Sequence, residues 1–231
     1  MANVFSRLIR SFKKDAPVVP QKELLKLDEF EFYLHSLLDY DKYLAKSDYL
    51  HLVDEYADIF ATFNKLQETR MLEHYCSTNN CRIKRINDFI SCYRELKEDE
   101  DSSVIRKHNE KFLSDHLASE KSYLDGILSE VDPNIKLDNE QRKVVLLDED
   151  YTLVIAGAGA GKTTTVSAKV KYLVERKGIR PDQILVISFT NKAVGELQDK
   201  INKALKIDCP VTTFHKTGYA IRRRQETEER V

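Results

Sequence analysis

One run, AGAGAGKTTTV from Ala156 to Val166, leaves this chain little choice of local fold. An apolar stretch, Leu153-Val154-Ile155, precedes it, and a segment with helical periodicity follows. Strand, glycine-rich loop and helix N-terminus together make a cradle for a nucleotide's phosphates. Gly157, Gly159 and Gly161 lack Cβ, so the backbone can take strained dihedrals and turn successive N–H groups toward a β-phosphate. In the pattern A/G-x-x-x-x-G-K-S/T, the loop runs Ala156, Gly157, Ala158, Gly159, Ala160 and closes on Gly161-Lys162-Thr163. The spacing predicts Lys162 between the β- and γ-phosphates and the Thr163 hydroxyl as a ligand to Mg²⁺. Thr164, in the first helical turn, falls near the α-phosphate.

The chain around this loop is uneven. Its 231 residues carry a net charge of −1. Before residue 136 there are 19 Lys and Arg against 25 Asp and Glu; from residue 136 on there are 18 against 13. The basic half is the one with the phosphate loop, as suits a polyanion-binding surface. No apolar run approaches the ~18 residues that span a bilayer. The four cysteines, Cys76, Cys81, Cys92 and Cys209, include no C-x-x-C pair. A zinc site at Cys76, Cys81 and His74 fits poorly in spacing and ligand count. Free thiols in a reducing cytoplasm suit the pattern better.

Composition divides the chain into three. Residues 1–20 form a basic segment (Arg7, Arg10, Lys13, Lys14) with Val4, Phe5, Leu8, Ile9 and Phe12 on one helical face, ended by Pro17 and Pro20. Such a segment can lie on a membrane surface or dock on a partner, or form a mobile or locally docked terminal helix. Residues 21–135 have almost no glycine and repeat apolar side chains at three and four, as in Leu52, Tyr56, Ile59, Phe60 and Phe63. Helices of about 15–27 residues in hairpins or a bundle are expected here, with breaks at Asn79-Asn80 and at Lys97–Asp101. One long helix is expected over Ser103–Ser129. The aromatic stripe Phe30, Phe32, Tyr33, Tyr40, Tyr43, Tyr49 is expected in the core, since its surroundings are acidic. From residue 136 to 231, short β-branched or apolar runs alternate with helical segments, which predicts βα units and a parallel sheet. The fold class expected is therefore α + α/β: a helical region followed by an incomplete P-loop (RecA-like) parallel-sheet domain.

Four segments, taken in order, resemble the superfamily 1A DNA helicases of the UvrD/Rep group. Leu137-Asp138-Asn139-Glu140-Gln141-Arg142 is similar to their Q motif, which implies that Gln141 hydrogen-bonds adenine and favours ATP over GTP. The loop AGAGAGKT follows at the usual short distance. ILVISFTNKAVGEL (Ile184–Leu197) resembles motif Ia, and VTTFHKTGYAI (Val211–Ile221) resembles motif Ib. The resemblance implies that Phe189, Thr190 and Asn191, with Thr213, Phe214 and His215, meet single-stranded DNA. Aromatic rings there offer stacking platforms, while hydroxyls and amides hold phosphates without reading sequence. The helical region is also similar in texture to the N-terminal extensions of helicase IV-like members, notably at Asn109–Phe112.

What the resemblance implies for activity is an ATP-dependent, 3′-to-5′ DNA helicase or translocase using ATP and Mg²⁺. Phosphoryl transfer further requires an acidic Walker B pair and arginines on the γ-phosphate. Past Val211 no apolar strand is followed by Asp-Glu, and only three strands are visible where such a sheet needs about five. The expectation is an N-terminal piece of a longer motor that holds ATP without hydrolysing it. The alternative is a non-enzymatic protein, derived from a helicase, that binds a partner through residues 21–135 or senses nucleotide. A small P-loop kinase would share the loop but leave the two later motifs unexplained.

Overall fold

The computed structural model describes residues 22–98, 103–157 and 159–228. The basic segment 1–20, the end of the acidic run Lys97–Asp101, and Ala158 of the loop fall outside these residues. Of the described residues, those up to Asn109 form one compact unit and those from Glu110 a second. Most of the structure is helical, with one two-stranded parallel sheet.

The first unit is built from α1 (Lys22–Asp39), α2 (Lys46–Glu55), α3 (Ala57–Glu68), α4 (Leu72–Asn79), α5 (Ile83–Glu98) and the start of α6 (Ser103–Ser119). The apolar repeat has the 3.6-residue period of a one-sided helix, and it buries Leu52, Tyr56, Ile59 and Phe63 against Ile86, Phe89, Ile90, Tyr93 and Leu96 of α5. Phe30 meets Tyr56 and Phe89 edge-on at 5.4 and 4.9 Å, and Phe60 stacks on Tyr93 at 4.3 Å. The Tyr93 hydroxyl, buried in this cluster, donates to the Val53 carbonyl at 2.6 Å. Arg85 of α5 ties α1 by pairing with Glu31 (2.6 Å) and Asp28.

α1, α5 and α6 have 18, 16 and 17 residues, as the periodicity predicts, but α2, α3 and α4 have only 10, 12 and 8. Tyr56 (φ −103°, ψ 13°) parts α2 from α3 within one apolar run, and left-handed Arg70 (φ 56°) and Asn80 (φ 51°) flank α4. The expected helix Ser103–Ser129 is likewise two, α6 and α7 (Lys121–Gly126), parted at Glu120. The aromatic stripe also divides. Phe30 and Tyr49 are buried, but Phe32 (67% exposed), Tyr33 and Tyr40 face outward. Leu27, Phe30 and Leu34 share one face of α1, and Phe32, two residues from Phe30, lies about 200° around the helix.

Asn109, near the middle of α6, holds the segment between α1 and α2. Its Nδ2 donates to the Leu44 carbonyl (3.0 Å) and its Oδ1 accepts from the Leu44 amide (2.8 Å). One side chain thereby satisfies both polar groups of a buried residue outside regular structure, which would otherwise go unpaired.

The second unit begins earlier than the change of texture at residue 136 suggests. Leu124, Ile127 and Leu128 are buried with Leu137, Val145, Leu146, Ala168 and Tyr172 in one cluster. Charge pairs follow the same seam: Lys171, itself buried, donates to both oxygens of Glu130 (2.8 and 2.7 Å), and Arg142 pairs with Asp125 (2.6 Å). The segment after α6 therefore packs as part of the unit that carries the phosphate loop. That unit continues through α8 (Asn139–Leu146), α9 (Lys162–Glu175), β1 (Val186–Ser188), α10 (Asn191–Gln198), a π-helical turn (Asp199–Ala204), β2 (Val211–Thr213) and α11 (Phe214–Glu228).

β1 and β2 pair in parallel, Val186 opposite Val211 and Ser188 opposite Thr213. The crossover through α10 buries Val194, Leu197 and Ile201 with Val170 of α9. The strand expected at Leu153–Ile155 is not formed. A strand exists only where its amides find a ladder partner, and the sheet consists of β1 and β2 alone among the described residues. Leu153 and Ile155 stand 86% and 90% exposed. The incomplete RecA-like sheet expected from the sequence is thus reduced to one strand pair. No helix among the described residues is long and apolar enough to cross a membrane.

Candidate functional site

The phosphate loop enters α9 through two left-handed glycines, Gly159 (φ 78°) and Gly161 (φ 79°). L-residues resist this region, so the sequence places glycine where the chain must reverse. Gly161 serves as N-cap of α9 with no side chain over the first turn. The leading amides of the helix therefore have no capping side chain, and the positive end of the helix dipole faces the loop. This is the chemistry of an anion site.

Lys162 is exposed and folds back on the loop, donating to the Ala156 (2.9 Å) and Gly157 (2.7 Å) carbonyls. Thr163 and Thr164 follow in the first turn, both half-buried. Behind them the Thr165 hydroxyl donates to the Gly161 carbonyl and the Ser167 hydroxyl to that of Thr163, which ties down the turn.

Gln141 reaches this loop from α8. Asp138 caps α8 by accepting from the Gln141 amide (2.8 Å), and the Gln141 Oε1 accepts from the Asp138 amide (3.0 Å), a reciprocal capping box. The remaining side-chain nitrogen donates to the Ala160 carbonyl at 3.2 Å. A Cβ at Gly161 would stand 2.6 Å from that nitrogen. Its dihedral is what requires glycine there; the amide of Gln141, at the end of a flexible side chain, would have to swing off the Ala160 carbonyl to admit a Cβ.

Two lysines of this unit went unread in the sequence, one of them at the loop helix and one behind it. Lys200, in the π-helical turn, donates to the Thr164 hydroxyl at 3.3 Å and so brings a cation to the loop helix. Apolar spacing finds the buried Val194, Leu197 and Ile201 of this segment, but it does not say where the lysine beside them reaches. Lys169 lies on α9, where its ammonium donates to the carbonyls of Val145 (2.9 Å) and Leu147 at the end of α8. Burial brings its pKa down from 10.5 to about 8, with Lys177 adding to that and Asp148 opposing it.

Between about pH 8 and 10.5 the unfolded chain keeps a proton on this lysine that the folded chain has lost. Stability therefore rises with pH across that window and loses this contribution as pH falls through 8. Denaturant unfolding at stepped pH should show wild type gaining on Lys169→Met from pH 8 to 10. A difference that stays flat would refute the assignment.

The segments expected to face nucleic acid meet at the carboxyl ends of β1 and β2, where open α/β sheets present their ligands. Phe189, 80% exposed, and His215 lie edge to face with ring centres 6.4 Å apart. Phe214 and Asn191 are exposed beside them in sequence. The two threonines are occupied in capping: the Thr190 hydroxyl accepts from the Ala193 amide (3.2 Å), and that of buried Thr213 from Lys216 (3.3 Å). The structure therefore brings together the rings, while Thr213 offers little surface.

Residues 137–230 match the UvrD/REP helicase N-terminal domain, which bears out the resemblance read from the sequence over that segment. The chain is 36% identical over 102 residues to the ATP-dependent DNA helicase UvrD1 of Mycobacterium leprae, which covers 42% of this chain and 13% of that protein. It is 35% identical over 91 residues to the ATP-dependent DNA helicase PcrA of Staphylococcus aureus, covering 38% of this chain and 12% of that protein. The chain spans only 12–16% of the length of such curated relatives.

Proposed function

We propose that this chain supplies the ATP-holding part of a cytoplasmic, ATP-dependent 3′-to-5′ DNA helicase or translocase that acts on single-stranded DNA. The observation that carries this reading is the loop: left-handed Gly159 and Gly161, an uncapped helix N-terminus, and Gln141 on the loop's rim. On this reading Lys162 leaves the loop carbonyls for the β- and γ-phosphates, and the backbone amides of Gly157–Gly161 hold the β-phosphate. Thr163 presents its hydroxyl to Mg²⁺, Thr164 and Lys200 meet the α-phosphate side, and Gln141 reads the adenine edge. Bound Mg²⁺ would neutralise phosphate charge. Phe189, Phe214 and His215 stack on bases; Thr190, Asn191 and Thr213 border the strand's phosphates. In this division residues 136–231 form the ATP-binding portion and 21–135 an accessory region, whose last segment, from Glu110, packs with that portion.

Hydrolysis needs an acidic pair to hold the metal and orient water, and arginines on the γ-phosphate. The sequence after Val211 offers no strand followed by Asp-Glu. The chain alone is therefore expected to bind ATP and not to turn it over. Titration of a fluorescent ATP analogue with Mg²⁺ should saturate and be competed better by ATP than by GTP. Phosphate release with single-stranded DNA should stay at the background of Lys162→Ala. Absence of binding would overturn the cradle, and DNA-stimulated turnover abolished by Lys162→Ala would overturn the division of labour.

A second reading is favoured by one observation: Leu25, Phe32 and Tyr33 are exposed on α1 of a helical unit that already has its own core. It makes the chain a partner-binding or nucleotide-sensing protein. Nucleotide binding without any retention of single-stranded DNA would favour it.

A further inference from the structure

α4 ends in a left-handed residue, Asn80 (φ 51°, ψ 42°), and the amide of Cys81 donates back to the carbonyl of Cys76 at 3.1 Å. This six-to-one hydrogen bond defines a Schellman motif, in which the residue after the left-handed one folds its side chain against the residue five before it. In most helices that contact is between two hydrophobes. Here both positions are cysteine. Cys76 is buried in the helical core, and Cys81, half-buried, packs against the same cluster. Burial, with the neighbouring Cys81 thiol adding to it, pushes the Cys76 thiol up to about 12. Cys92 sits elsewhere on α5, with no thiol offered at a comparable turn. Among the described residues no three His, Cys, Asp or Glu side chains gather to hold a metal ion, so the pair is available to one another.

We infer that Cys76 and Cys81 are a reversible modification site, a dithiol that closes to an intramolecular disulfide across the α4 C-terminus on exposure to a small-molecule disulfide. The partly exposed Cys81, as thiolate, attacks one sulfur of the oxidant; the oxidant's S–S bond breaks and one thiolate leaves. Cys76 then attacks Sγ of Cys81, releasing its proton to solvent as the second thiolate departs. Two protein thiols are oxidised and one small disulfide is reduced to two thiols. The buried, proton-holding Cys76 is the resolving partner and not the entry point, since the thiolate is the attacking species. The inference is independent of the nucleotide site.

The test uses the full chain equilibrated with reduced and oxidised glutathione, quenched in acid, alkylated and digested with trypsin. Cleavage after Arg70 and Arg82 yields one peptide, Met71–Arg82, that contains both cysteines. It is expected to emerge unalkylated and lighter by two hydrogens, and to return to the alkylated form after reduction. The equilibrium constant for closure should be higher in the folded chain than in the urea-unfolded chain, on the order of tenfold, if the native turn favours the bond. Cys76→Ser should stop the reaction at a glutathione adduct on Cys81, and Cys81→Ser should abolish it. A persistent glutathione adduct in wild type, alkylation of both cysteines, or a constant no higher in the folded chain would each overturn the inference.

Discussion

Replacing Lys162 with alanine is expected to weaken binding of Mg²⁺–ATP by about one to two orders of magnitude, the range of a charge-assisted hydrogen bond to phosphate. The fold should hardly notice. Lys162 is exposed, and its ammonium donates to two carbonyls of its own loop, Ala156 and Gly157. Its ammonium also lies at the N-terminus of α9, the end of the helix that repels cations, and alanine is the better helix former. The expected outcome is thus a split, with affinity lost and the unfolding midpoint held or slightly raised. Titration and thermal unfolding of the same preparation measure the two halves. Unchanged affinity would remove Lys162 from the site; a large fall in stability would show instead that the lysine organises the loop.

Phe63→Ala should cost the helical unit about 3–5 kcal/mol, the range for deleting a buried aromatic side chain. Phe63 is fully buried, with Tyr75 and Phe89 edge-on at 5.8 and 5.9 Å, so the cavity would open among rigid rings with little freedom to collapse. Single domains have only about 5–15 kcal/mol of stability in all, so the helical unit would approach its unfolding limit. Phe32→Ala is the matched control. Its ring is exposed, and the change should stay within about 0.5 kcal/mol. Urea unfolding followed by far-ultraviolet circular dichroism distinguishes the two. Equal losses from both would mean that the ring of Phe32 is covered in solution.

These two substitutions also mark what the sequence could and could not reveal. The loop was legible because phosphate binding needs glycine at defined places, and Gly159 and Gly161 do take the left-handed conformation that justifies them. Helical character before residue 136 was legible from periodicity, but the inner face of α1 was not. Phe30 and Phe32 read alike in composition, and only the phase set by Leu27 and Leu34 separates them. Leu153–Ile155 is apolar enough for a strand, yet strand formation is a property of pairs, and its own letters do not say whether a partner is present. Lys200 belongs to no apolar pattern or motif, and its contact with Thr164 joins residues 36 apart in sequence, which only the tertiary fold brings together. Asp138 and Gln141 were read through resemblance to a nucleotide motif. The structure adds a second role, since the same two residues cap α8.

That second role has a consequence for selectivity. Gln141 is not an idle amide waiting beside a void: its oxygen is held by the Asp138 amide and its nitrogen by the Ala160 carbonyl. Each of those atoms keeps one capacity unused, a second N–H on the nitrogen and a second lone pair on the oxygen. On the proposed reading, a base that fits the unused donor and acceptor leaves the cap of α8 and the loop contact in place. A base that demands another amide orientation breaks one of them, and that loss counts against it.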